Sequence, residues 1–205
     1  MRSKKYIKNL IFESMDKILK LKEIENEVKE CKKCSLHKTR KFPVAGEGNS
    51  DAKVFLIGLG PGYNENLQGK PFVGAAGKFL DELLELAKLK REEVFITNII
   101  KCYLPNNTAS EEEIKTCTSY LERQIQFIKP KIILTLGNVA TSFIFNKFGI
   151  KVQNMGKIHG DRFRVRNLLL QAEIIPMYHP AAALYNAGMK EILRRDWEKI
   201  SNLSI

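Results

Sequence analysis

An apolar run, KVFLI (Lys53–Ile57), feeds directly into GLGPGYNENLQGKPFVGAAG (Gly58–Gly77), and KFLDELLELAKL (Lys78–Leu89) follows with apolar residues at helical spacing. The first segment reads as a buried strand and the last as an amphipathic helix. Between them, twenty residues hold six glycines and two prolines, where such a connection ordinarily takes about two to six residues. A loop of that length inside a compact unit is functional or disordered. Structured flanks and the apolar pair Phe72-Val73 argue against disorder. Gly58, Gly60 and Gly62 let the main chain approach a ligand closely. The pattern is not a dinucleotide fingerprint, since the G-x-G-x-x-G spacing fails and the helix begins too late. No G-K-[ST] follows to make a P-loop.

The alternation of strand and helix continues along the chain. Glu93–Asn98 reads as a second strand, and Pro105, Asn106 and Asn107 mark a loop. Ser110-Glu111-Glu112-Glu113 opens a helix with a capping box and carries it to about Ile128. Lys131–Leu136 is a third strand, followed by Gly137 and a helix to about Lys147. Ala172–Met177 is a fourth, ending at Tyr178-His179-Pro180, and Gly188 to Ile200 is the last helix. Residues 148–170, with Lys157, Arg162, Arg164 and Arg166, read as a hairpin or irregular excursion. Residues 3–29 place Ile7, Leu10, Ile11, Met15, Ile18, Leu19 and Leu21 at three- and four-residue steps, one or two amphipathic helices whose role is packing or contact with DNA.

This order predicts an α/β fold, a three-layer αβα sandwich around a central four-stranded, mainly parallel sheet. It forms a single domain over 1–205, with a helical extension over 1–30. In open sheets of this kind ligands bind outside the carboxyl ends of the strands. The rule gathers Gly58, Asn98, Gly137 and His179, from four separate segments, on one rim.

Composition narrows the partners. With 44% hydrophobic and 28% charged residues the chain is neither disordered nor membrane-spanning. Lys+Arg 34 against Asp+Glu 23 gives a net charge of +11, an excess that favours a polyanion, nucleic acid before membrane surface. The N-terminus lacks an apolar signal-peptide core, which assigns the chain to the cytoplasm.

Four cysteines stand as Cys31-x2-Cys34 and, far downstream, Cys102-x14-Cys117. Two thiolates from one turn, closed by two later segments, suit a four-ligand metal site better than free buried thiols. Both zinc and an iron–sulfur cluster remain compatible with that spacing.

Taken together, GKPFVGAAG (Gly69–Gly77), ITNIIKC (Ile96–Cys102), the four-cysteine spacing and HPAAAL (His179–Leu184) resemble the family 4 uracil-DNA glycosylases, the thermostable iron–sulfur branch of that superfamily. The resemblance runs from Cys31 to the last helix. It implies a structural 4Fe–4S cluster on Cys31, Cys34, Cys102 and Cys117, remote from the reacting bond. It also implies a monomeric repair enzyme that acts on DNA containing uracil and leaves an abasic site. Phe72 would stack on the flipped base and Asn98 would read its edge. His179 would donate to O2 as charge collects there, and the backbone of Gly58, Leu59, Gly60, Pro61 and Gly62 would face base and water. Leu184 or Tyr185 would wedge into the duplex. One position departs from the family: its loop usually begins G-E-[AG]-P-G, and here the carboxylate is replaced by Leu59, as in the family 5 enzymes of broader base specificity. Glu65 is then the nearest carboxylate, either contributing to the site or merely solvated. Two other readings follow from Leu59: a lesion-binding module without chemistry, and a glycosylase of wider scope. His37 and His159 receive no role.

Overall fold

The computed structural model describes residues 2–167 and 170–203, with the backbone alone for 2–11. In chain order the elements are α1 (Arg2–Glu30), β1 (Glu47–Gly48), β2 (Val54–Gly58), α2 (Tyr63–Gln68), α3 (Ala75–Leu86), β3 (Phe95–Asn98), α4 (Glu111–Ile128), β4 (Ile132–Leu136), α5 (Asn138–Lys147), α6 (Met155–Ile158), β5 (Phe163–Arg166), β6 (Gln171–Met177), α7 (Ala182–Tyr185) and α8 (Ala187–Ile200).

Every residue of β2, β3 and β4 is buried, which is why these strands read as continuous apolar runs. Side-chain alternation divides them between two layers. Phe55 and Ile57 pack with Leu121 and Ile125 of α4 and Ile144 and Phe145 of α5. Val54 and Leu56 pack with Leu80 and Leu83 of α3 and Leu193 and Trp197 of α8. Each fully buried leucine or isoleucine on these faces contributes roughly 1.5–3 kcal/mol. The sheet order is β1-β3-β2-β4-β6-β5, with the central four strands parallel. Helices cover both faces, the expected three-layer α/β arrangement.

The sheet has six strands where four were expected. β1 and β5 each add an antiparallel edge. β1 has two residues, too few to show a period. β5 reads FRVR, with Val165 buried between exposed Arg164 and Arg166, and its basic residues masked the alternation. Residues 148–170 hold α6 as well as β5, while Leu168 and Leu169 lie outside the described residues.

The glycine-rich stretch also differs from a plain loop. It contains α2, entered from extended Gly62 and stopped at left-handed Gly69 (φ 69°), and α3 begins at Ala75 rather than Lys78. The capping box is as expected: Ser110 Oγ accepts from the Glu113 amide at 3.2 Å, and Glu113 Oε2 accepts from the Ser110 amide at 2.9 Å.

The N-terminal segment is one helix. Its inner residues Leu21, Ile24 and Val28 pack on Ile100, Cys102, Leu104, Cys117 and Tyr120. Packing stops there: Met15, Ile18 and Leu19, expected on a buried stripe, face solvent. The side chains of Ile7, Leu10 and Ile11 lie outside the described residues. Among the described residues no helix is long and apolar enough to cross a membrane.

Candidate active site

The central strands β2, β3, β4 and β6 run parallel, so their carboxyl ends lie on one rim. A cleft of about 520 Å3 opens there, lined by Leu59, Glu65, Phe72, Asn98, Gly137 and His179 among others. A larger groove of about 800 Å3 lies at the opposite end, along β5 and β6 beside Lys131 and Arg164. It gathers none of the rim residues, and the smaller cleft is the candidate site.

Close approach decides what stands at Gly58. A Cβ there would fall 2.3 Å from Asn98 Oδ1 and 3.0 Å from Phe72 Cζ. Glycine thus leaves room for a carboxamide and an aromatic ring side by side. Asn98 is 2% exposed, yet its carboxamide takes no hydrogen bond from another described residue and lines the cleft. Its amide atoms open to the cleft and are not sealed in the interior, so a ligand carrying both donor and acceptor can pair with them.

Phe72 sits in the left-handed region (φ 50°), a strain of about 1–3 kcal/mol for such a residue. Two contacts hold it. Gly77 admits the Phe72 carbonyl, which a Cβ would meet at 1.9 Å. Glu65 Oε1 accepts from the Val73 and Gly74 amides at 2.8 and 3.0 Å, fixing the turn at the start of α3. Glu65 is therefore an anchored carboxylate on the cleft wall, not a freely solvated charge.

His179 follows β6, and its ring stacks on Phe72 with centroids 5.6 Å apart and planes 29° apart. The Ala181 amide donates to Nδ1 at 3.2 Å. Nδ1 is then the acceptor, and the neutral ring carries its proton on Nε2. Burial holds the His179 pKa below the ordinary histidine value, opposed in part by the Glu65 charge. The result is a neutral imidazole with one free N–H donor. Gly137 (φ 92°) makes the turn opposite, where a Cβ would meet His179 Cβ at 3.2 Å.

The remaining sequence-named residues divide. Leu59 and Gly60 line the cleft, whereas Gly58 and Pro61 stand behind its wall. Leu59 also packs against the cluster under α1. Tyr185, 90% exposed, forms part of the lip. Leu184 is exposed beside it without lining the cleft. Leu104 and Asn107 join the lining although sequence reading did not single them out; the Pro105-Asn106-Asn107 turn that throws them there was the available signal.

Behind Asn98 lies a second pocket, bounded by Cys31, Cys34, Cys102 and Cys117. The Arg40 guanidinium donates to Cys102 Sγ at 3.1 Å and the Lys101 amide to Cys117 Sγ at 3.3 Å. Burial raises both thiols, Cys117 to about 11. Among the described residues no three His, Cys, Asp or Glu side chains converge as they would on a single ion. Between the two pockets runs Lys101, 1% exposed, a residue missed in the sequence. Its Nζ donates to Thr97 Oγ1 (2.6 Å), the Asn98 carbonyl (2.7 Å) and Gln124 Oε1 (2.8 Å). Burial pushes its pKa down to about 7. The signal was a lone lysine inside the apolar run IIKCYL. His37 and His159 stand elsewhere, His37 donating to the Cys34 carbonyl at 2.6 Å and His159 pairing with Asp196 at 2.5 Å.

Comparison with known proteins agrees with this geometry. The model of the uracil DNA glycosylase superfamily matches residues 45–201. A type-4 uracil-DNA glycosylase of Saccharolobus solfataricus is 48% identical over 86% of this chain and 83% of its own length. One from Sulfurisphaera tokodaii is 46% identical over 93% and 86%. A type-5 uracil-DNA glycosylase of Thermus thermophilus is 29% identical over 59% and 62%, so Leu59 does not move the chain into that branch. Fold, rim and sequence together place this chain in the uracil DNA glycosylase superfamily, among the type-4 enzymes.

Proposed function

We propose that the chain releases uracil from DNA by hydrolysing its N-glycosidic bond, leaving an abasic site. One observation carries the reading: Phe72, Asn98 and His179, from three separate segments, share one cleft, with the Asn98 carboxamide open to a ligand. Uracil must leave the base stack to reach it, which costs a few kcal/mol. The Phe72 ring supplies a stacking face. The Asn98 carboxamide pairs with O4 and N3–H, rejecting cytosine, whose edge reverses that pattern. As the N1–C1′ bond breaks, its electron pair moves onto the base and negative charge reaches O2. The Nε2–H of His179 donates to that oxygen, and water adds to C1′ and gives up a proton to solvent. Neutrality suits His179 to this role, since the donor acts on charge that develops only as the bond breaks. Leu59 cannot orient the water, so that task falls to main-chain groups of the glycine-rich turn. Tyr185, with Leu184 beside it, fills the vacated stack. The net positive charge holds the phosphate backbone and makes binding salt-dependent.

Cys31, Cys34, Cys102 and Cys117 fit a 4Fe–4S cluster. The donor set is all thiol, and the four cysteines line one small pocket. Such a group, when bound, supplies a cross-link that ties the end of α1 to β3 and α4. The cytoplasm, where the substrate DNA lies, is the corresponding location.

Incubation with single-uracil oligonucleotides followed by alkali tests the proposal: strand scission at uracil is expected, and intact strands with retained DNA binding would overturn it. Leu59 favours a second reading, activity on a wider set of deaminated bases. Hypoxanthine-containing strands cleaved as fast as uracil-containing ones would establish it.

A further inference from the structure

The outer face of α1 presents Phe12, Met15, Ile18 and Leu19, which are 73%, 58%, 54% and 62% exposed. They recur at helical spacing and form a continuous apolar stripe. Its opposite face, through Leu21, Ile24 and Val28, is already packed. Scattered exposed apolar residues are ordinary, but a contiguous strip on one element marks an interaction surface.

Charge tells which partner covers it. Residues 2–10 carry Arg2, Lys4, Lys5 and Lys8 and no acid, whereas residues 23–30 carry four glutamates, of which Glu25 pairs with Lys22 and Lys29 and Glu27 with Arg123 in the same chain, leaving Glu23 and Glu30 for a partner. The helix is therefore basic at one end and acidic at the other, with the apolar stripe between. A second α1 laid antiparallel brings basic end against acidic end twice, with Phe12 opposite Leu19 and Met15 beside the two-fold axis. Position 8 of one copy then falls opposite position 23 of the other. A two-fold pairing uses the same patch on both chains and closes after two. An anionic lipid surface fits less well, because Glu13, Asp16 and Glu23 flank the stripe. Nucleic acid fits less well too, because the same acids that flank the stripe would repel phosphates. At 29 residues α1 is a rod of about 43 Å, long enough to approach the ~800 Å2 per partner of a stable interface.

We propose that this chain forms an antiparallel homodimer through the outer face of α1, in place of the monomer expected from the sequence. The proposal is independent of the chemistry in the cleft.

Sedimentation equilibrium on the full chain tests it, with uracil release as control. The wild type is expected at about twice its 23.5 kDa chain mass. Met15→Lys and Leu19→Glu are expected to weaken association by roughly thirtyfold or more while uracil release stays unchanged. Lys8→Glu and Glu23→Lys should each weaken it, and the double variant should restore it, as only antiparallel pairing allows. A wild-type chain that stays monomeric at all concentrations overturns the proposal. So does a dimer insensitive to Met15→Lys and Leu19→Glu, or a charge swap without rescue.

Discussion

The cleft and the cysteine pocket are built from the same short segment and treat polar atoms in opposite ways. Asn98 ends β3 with its carboxamide open to the cleft; four residues later Cys102 faces the second pocket, its sulfur accepting from Arg40. The cleft is made by turns that remove bulk, Gly58 and Gly137, and by the strained Phe72. The cysteine pocket is walled by helix ends and apolar side chains such as Val28 and Tyr120. A transient ligand needs open donors and room to enter. A permanent one needs neighbours already committed to it. The difference is what the proposed roles require, chemistry in the first region and cohesion in the second.

The sharpest way to break that division is to remove a group from each. His179→Ala deletes the donor proposed for O2, and release is expected to slow by about 10²–10³-fold, or ~3–4 kcal/mol. Single-turnover kinetics would show it, with the melting temperature nearly unchanged. Cys117→Ser is expected to do the reverse. It should cost about 3 kcal/mol of stability, seen as a lower denaturation midpoint and loss of iron and sulfide. Molecules still folded should release uracil at the original rate. A slow but fully stable Cys117→Ser would mean that the thiols serve the chemistry directly.

Lys101 joins the regions, and its replacement asks whether they are separable. Lys101→Met keeps the alkyl volume but leaves the Asn98 carbonyl, Thr97 and Gln124 without their shared donor. The expected loss is about 1–3 kcal/mol of stability, offset in part by no longer burying an amine. The diagnostic readout is base selection. If Lys101 positions Asn98, uracil release falls about tenfold, close to 1.4 kcal/mol, and discrimination against cytosine weakens with it. Lower stability with unchanged selection would make Lys101 a purely structural group.

What the sequence disclosed follows the same division. Gly58, Asn98, Gly137 and His179 were legible because strand ends and glycine turns are local features, and parallel topology sends all of them to one rim. Lys101 was not legible, because three acceptors from Thr97, Asn98 and Gln124 are brought together only by packing β3 on α4. Glu65 was left between a site carboxylate and a solvated charge, since its partners Val73 and Gly74 are main-chain amides with no sequence signature. β5 was left between a hairpin and an irregular excursion, because its arginines alternate outward. The outer face of α1 looked like core because periodicity shows that a stripe exists and not which neighbour covers it.

The smallest effect separates the regions by pH. Burial lowers the His179 pKa, and the Glu65 charge works against that shift. The unfolded chain takes up this proton near the ordinary histidine value, and the folded chain only at lower pH. Between the two the folded state binds fewer protons, so its stability declines as pH drops through that window and levels off below the folded pKa. The neutral ring, with Nδ1 accepting from Ala181, persists across the same window. The plateau of kcat/KM for uracil release should therefore extend below the usual histidine range before an acid limb appears. Glu65→Gln keeps an oxygen for the Val73 and Gly74 amides but removes the opposing charge. Its acid limb is expected at still lower pH, with NMR titration of the His179 ring moving in parallel. A limb that stays in place would mean that Glu65 does not control the imidazole.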